Sequence, residues 1–233
     1  YEPSLRMPLI VSYPQVIPAN TRSDAIVENI DFPATILDFA EVKTPMYMQG
    51  DSFRSILETG EESGDWKKAA YYQYWMHMAH HDVPGHIAMR TKRYKLIQFY
   101  GTAGNIGYRS ERSKYATPAA WELYDLHADP TESNNVYNDE EYRTIREKLK
   151  KQFKELRVKV KADVIDGDVS DKAKARIISV NKAINDNWVY NADSIRQAEI
   201  NSKKYLEKFG NPETTEAYMA PWLRLGNLDP SEK

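Results

Sequence analysis

The chain has 233 residues, a formal net charge of −2, 41% hydrophobic and 28% charged residues, and no cysteine. That length supports one sizeable core with an appendage, and the near-neutral charge gives no electrostatic basis for nucleic acid or an anionic membrane as a partner. Disulfides, thiol catalysis and zinc–thiolate sites are excluded within the chain, and no apolar run reaches the length that spans a bilayer.

In chain order, residues 8–12 (PLIVS) predict a short buried strand, followed by turn punctuation at Pro14, Pro18 and Asn20. The stretch Val27 to Ala40 reads as a helix, with Asp31 as N-cap and Pro33 in the first turn. Phe32, Ile36, Leu37 and Ala40 then share one face. Ser52 is placed to cap a short helix through Leu57. The aromatic run 69–76 (AAYYQYWM) favours a strand. Residues 86–91 and 94–99 predict a hairpin joined at Thr91, Lys92 and Arg93. A long loop with Gly101, Gly104 and Gly107 precedes a strand at 121–125 (WELYD). Asp129 and Pro130 open a turn. From Asp139 to Val160, Tyr142, Ile145, Leu149, Phe153 and Leu156 recur at helical spacing. Beyond 160 the composition turns polar. Residues 171–208 predict one or two helices with an apolar stripe of Ala175, Ile178, Ile184, Ile195 and Ile200. The end is expected to be irregular, with Trp222 and Leu225 docked on the body.

Four segments resemble the type I, formylglycine-dependent sulfatases, in that family's order. YEPSLRMPLIVSYPQVIPANTRSD is similar to Y-E-x-S-x-R-x-P-L-I-V-x-Y-P-G-x-I-x-x-G, and NIDFPATILDFAEVKTPMYMQGDSF to D-x-x-P-T-x-L-D-x-A-G with a later Q-G-x-S. HIAMRTKRYKLIQFYG resembles I-R-T-x-x-Y-K-L-I, and WELYDLHADPTESNNVY resembles L-Y-D-L-x-x-D-P-x-E-x-x-N. The likeness covers the first 157 residues, and nothing from about 160 onward carries it. Gln15, Asn20 and Glu41 stand where the family pattern has glycine. The change at 41 predicts a helix end without the usual left-handed cap.

The resemblance implies an α/β, alkaline-phosphatase-like fold. On it, 1–66 is the C-terminal edge of the α/β domain, and 67–160 is a subdomain with a small antiparallel sheet and a packing helix. Residues 161–233, outside the likeness, are expected to be a helical extension. The implied activity is hydrolysis of sulfate esters on sulfated glycans, most like the bacterial N-acetylglucosamine-6-sulfatase type. The implied nucleophile is a formylglycine made from Cys or Ser, and the implied Ca2+ or Mg2+ is held by residues outside this chain. The chain is therefore expected to be the downstream piece of a larger enzyme. It would be inactive alone, with a missing N-terminal catalytic part as partner, and would be periplasmic or secreted. The competing readings are a glycan-binding module without turnover and a related phosphatase or phosphonate hydrolase.

His77, His80, His81 and His86, with Asp82, offer borderline-metal donors, but loop placement gives them no fixed geometry. His86 opens a strand that can aim it into a cleft. There it can hydrogen-bond a sugar hydroxyl or, near its pKa, protonate a leaving alkoxide. His86, His81 and Arg90 are the candidate substrate contacts. Arg6 is expected to be a buried guanidinium tying carbonyls and a carboxylate together. Asp125, Asp129 and Glu132 lack EF-hand spacing, and Asp–Pro turn formation accounts for them. Asp31, Asp125 and Asp129 are read with Arg6 as structural. No catalytic residue and no metal ligand is assigned within the chain.

Overall fold

A computed structural model describes residues 1–79, 83–102, 112–165, 167–189 and 192–209. The first 66 residues hold short helices: α1 (Glu2–Leu5), α2 (Asp31–Phe39) and α3 (Arg54–Thr59). The expected strand at 8–12 does not form. A strand needs a neighbour for its backbone groups, and no described strand lies beside this run. Leu9 is 47% exposed and Ile10 91% exposed.

α2 departs from its sequence pattern in two ways. Asp31 is its first helical residue and not its N-cap, and the buried positions are Asp31, Ala34 and Thr35. Ile36 is exposed. Polar anchoring decides this. Asp31 accepts from the amides of Glu28 (2.8 Å) and Asp51 (3.0 Å) and from Lys67 Nζ (2.7 Å). Thr35 Oγ1 accepts from the Phe53 amide at 3.1 Å. The end of α2 does carry the left-handed cap. Glu41 takes φ 57°, with Glu41 N bonded to Asp38 O and Val42 N to Leu37 O, which is a Schellman pair made without glycine. Asn20 also takes a positive φ, at 62°. Ser52 Oγ accepts from Arg54 N at 3.3 Å and donates to Asp38, while the residue flanking α3 is Phe53.

The sheet follows from period-2 alternation. β1 (Ala69–Tyr74), β2 (His86–Thr91), β3 (Tyr94–Phe99) and β4 (Ala120–Asp125) form an antiparallel meander in that order. The hairpin β2–β3 has the expected bounds, with Ala88 opposite Ile97. One face carries Ile87, Met89, Leu96, Trp121 and Leu123, packed on Leu149 and Phe153 of α4 (Arg143–Lys159). Val180 and Ile184 of α5 (Asp171–Asp186) join the same core. Ile178, assigned to the apolar stripe of this helix, instead points out at 61% exposure. The helical register turns Val180, Ala183 and Ile184 inward. Ser170 caps α5 through the Ala173 amide. α6 (Ala192–Phe209) follows; Trp222 and Leu225 lie outside the described residues.

The opposite sheet face carries Ala88, Ile97, Phe99, Ala120 and Tyr124. Its register also places His86, Arg90, Lys95 and Glu122 there. α1 closes over this face: Tyr1 meets Tyr124 edge-on at 6.0 Å and donates to Glu122 at 2.9 Å.

Candidate functional site

His86 sits at one end of the sheet, opposite Tyr74 of β1 and Phe99 of β3. The β1–β2 and β3–β4 connections both emerge there. Connections of such length in a compact domain usually serve function. The His86 ring stacks on Tyr74 at 5.3 Å and touches Tyr72 (5.8 Å) and Phe99 (5.2 Å). Its Nδ1 lies 2.8 Å from the Pro84 carbonyl. A carbonyl only accepts, so Nδ1 carries the proton and Nε2 presents a lone pair. Burial drives its pKa down to about 4. The ring is therefore neutral near pH 7 and is no general acid for a leaving alkoxide there. The proton-donor role raised from sequence does not fit this environment.

His77 fixes the backbone around that ring. Its Nδ1 accepts from the Gly85 amide at 3.0 Å, so Nε2–H donates to the Tyr115 carbonyl at 3.0 Å. Burial pushes its pKa down to about 4 as well. A Cβ at Gly85 would lie 2.6 Å from the Tyr100 hydroxyl, so a larger residue there requires the Tyr100 side chain to shift. Gly101 takes φ 74° beside the Thr117 carbonyl. His80, His81 and Asp82 lie outside the described residues, as do Gly104 and Gly107.

Arg90 shares the strand face of His86 but occupies the other end of β2, and it does not join that site. Its Nη2 binds Glu2 at 3.1 Å. The Lys95 ammonium lies 2.7 Å from both Glu2 and Glu132. Glu132 takes φ 56° to point inward. This buried cluster was not foreseen, since a lysine between apolar strand residues gives no local sign of burial. Burial opposes ionisation of Glu2, but hydrogen bonds from Arg90 and Lys95 prevail and hold its pKa below the ordinary value. On the same face burial lifts Glu122 to about 7.

Arg6 is exposed, contrary to the buried guanidinium expected of it. The segment after it is itself exposed and cannot enclose it; Lys95 is the buried cation here. Asp125 is gripped by Arg93 at 3.0 and 2.7 Å, which holds its pKa down. Asp129 accepts from Thr131 and from the Asn134 amide. Asp125, Asp129 and Glu132 thus turn to three different partners. Among the described residues, no three His, Asp or Glu side chains converge as a metal would require.

The family described as N-sulphoglucosamine sulphohydrolase, C-terminal, matches residues 1–159. An N-acetylglucosamine-6-O-sulfatase of Bacteroides thetaiotaomicron is 39% identical over 173 residues, 74% of this chain and 28% of that protein. An ulvan-active sulfatase of Formosa agariphila is 28% identical over 161 residues, 62% of this chain and 31% of that one. A solved structure, described as a complex with its substrate D-glucosamine-2-N,6-O-disulfate, aligns at TM-score 0.55 and 39% identity. That alignment covers 64% of this chain and 27% of that one. The chain therefore spans under a third of these relatives. The match over 1–159 and the alignment with an alkaline-phosphatase-like sulfatase agree with the antiparallel sheet and long helix described above. The chain belongs to the N-sulphoglucosamine sulphohydrolase C-terminal family.

Proposed function

We propose that this domain forms the sugar-facing wall of a glycan sulfatase, acting on a sulfated glucosamine, with His86 as its principal substrate contact. The observation that carries this is the fixed, neutral His86 ring. Pro84 holds its Nδ1–H, Tyr74 stacks on it, and Nε2 can accept from a sugar hydroxyl or amide N–H. The sugar class is supported by the 39% identical N-acetylglucosamine-6-O-sulfatase. His81 is a second contact on this reading. Arg90 is a weaker choice than its strand position implies, because Glu2 already neutralises it.

The reaction is cleavage of a sulfate ester, and no residue of this chain is assigned to attack sulfur. Asp31, Asp125, Asp129 and Glu132 are engaged by protein groups. Calcium or magnesium, held by residues outside this chain, would offset charge on the sulfate oxygens. What this domain contributes is orientation, which lowers the entropic part of the barrier. Among the described residues no helix is long and apolar enough to cross a membrane. A periplasmic or secreted location suits an enzyme that meets glycans.

The test is His86→Ala and His86→Gln in the longer enzyme, assayed on a 6-O-sulfated glucosamine. The alanine variant is expected to raise KM about tenfold, the scale of one lost hydrogen bond to a substrate, and glutamine to recover part of it. An unchanged KM in the alanine variant would remove His86 from the site. The domain alone should not turn over a chromogenic sulfate ester; turnover would place the nucleophile within it.

A further inference from the structure

The family match ends at residue 159, yet the helices beyond it reach back to the end of the sheet that carries His86. Arg176 of α5 donates to the Trp75 carbonyl and lies over the Trp75 ring at 5.6 Å. Asn201 of α6 donates to the Thr117 carbonyl at 3.4 Å. Phe209, the last residue of α6, meets Tyr115 edge-on at 5.2 Å. Trp75 opens one of the two connections that flank His86, Thr117 lies in the described part of the other, and His77 links them through Tyr115.

We infer that α5 and α6 are a brace that positions the two connections framing His86, with Arg176 and Asn201 as positioning residues for substrate binding. The physical case is one of rigidity. Loop backbone that spends no ladder hydrogen bonds is free to move. Here two of its carbonyls are taken by side chains, one from α5, which is anchored in the core through Val180 and Ile184, and one from α6, whose Phe209 packs on Tyr115. Gln98 Nε2 donates to the Ile184 carbonyl at 2.9 Å, and Trp121 Nε1 to the Asn187 carbonyl at 3.1 Å. Rigid anchors therefore run from β3 and β4 through α5 to the loop ends. A site held this way pays less ordering cost when a sugar docks. The consequence for substrate rests on the proposed sulfatase reading; the brace itself rests on packing alone.

The test uses Arg176→Met, Arg176→Lys and Asn201→Ala. Amide hydrogen exchange on this chain is read at Gly85 and Thr117, with Leu96 and Ile97 of the sheet as folding controls. The methionine and alanine variants are expected to exchange about tenfold faster at the loop amides and unchanged at the controls, with lysine intermediate. In the longer enzyme, KM for a 6-O-sulfated glucosamine should rise about fivefold at near-constant kcat. Unchanged loop exchange in both variants overturns the brace. Faster exchange with unchanged KM, while His86→Ala raises KM, overturns its role in positioning substrate. If KM moves in neither Arg176→Met nor His86→Ala, the sulfated-sugar reading fails, and faster loop exchange still supports the brace.

Discussion

Lys95 and Glu132 meet 2.7 Å apart with neither side chain exposed to solvent. Glu2 lies equally close to the same ammonium, and Arg90 completes the group. Two cations face two carboxylates, so the cluster is neutral as a whole. Its members were taken from water at a cost that only their mutual pairing offsets.

Breaking this balance is costly. Lys95→Met leaves two carboxylates facing Arg90 alone and should destabilise the domain by about 3–5 kcal/mol. Adding Glu132→Gln to that variant should recover part of the loss. Urea unfolding of the single and double variants checks this. Strict additivity would show that the pair is not coupled.

Stability should rise with pH between about 5 and 6. His77 and His86 titrate near 4 in the fold against an ordinary 6.5, burial being the main cause. Their contribution is full above about 6.5 and is lost as pH falls toward 4, because the unfolded chain binds protons that the native state refuses. Glu122 works oppositely. Lifted by burial from 4.5 to about 7, it favours the native state below about 4.5, and that support fades as pH rises through 7. The two histidines outweigh Glu122, and Glu28, whose pKa burial also raises, trims the net slope to below about 1.4 kcal/mol per pH unit. Urea midpoints at several pH values measure it. His77→Gln, which keeps a donor and an acceptor, should make the slope nearly flat; an unaltered slope would exonerate His77.

Glu41 holds a left-handed conformation that glycine adopts without penalty. Glu41→Gly should therefore stabilise the domain by about 0.5–1 kcal/mol, although glycine also loses more freedom on folding. A thermal melt reads the sign directly. A lower melting temperature would mean that the Glu41 side chain contributes more than its backbone costs.

Gly85→Ala tests the close approach beneath His86. The added methyl meets the Tyr100 ring at 2.6–2.7 Å, and Tyr100 is held by its bond to the Tyr74 carbonyl. A loss of about 1–3 kcal/mol is expected from overpacking, with disturbed stacking between His86 and Tyr74. Wild-type stability in this variant would show that Tyr100 can give way.

The parts legible in the sequence are those governed by near neighbours. The β2–β3 hairpin emerged with its bounds intact, because alternation and a two-residue turn decide it locally. α4 emerged from its spacing of Leu149 and Phe153. What stayed hidden depends on remote partners. Glu2 claims Arg90 from 88 positions away and so removes it from the His86 neighbourhood. Residues 8–12 carry the composition of a buried strand, and composition cannot supply a neighbouring strand. In α2, buried Asp31 and Thr35 overrode the apolar stripe because Lys67, Asp51 and Phe53 bring hydrogen-bonding groups to them. His86 was singled out from its place at the head of a strand. The locking of its tautomer by Pro84, and the neutrality that burial enforces, are products of the folded surroundings.

The meander order of the sheet carries a consequence for how the domain assembles. Each strand pairs with the next in sequence, so the sheet can grow by successive hairpin closures, each with a modest loop-closure cost. α1 is different. It precedes the sheet in the chain and must wait for Arg90 and Lys95 to be made, and the full counter-charge for Lys95 arrives only with Glu132. Until then a charged lysine stands on a forming sheet face. The sheet should therefore appear early as a fluctuating scaffold, with the step in which Tyr1 and Glu2 close over it coming last and setting the observed refolding rate.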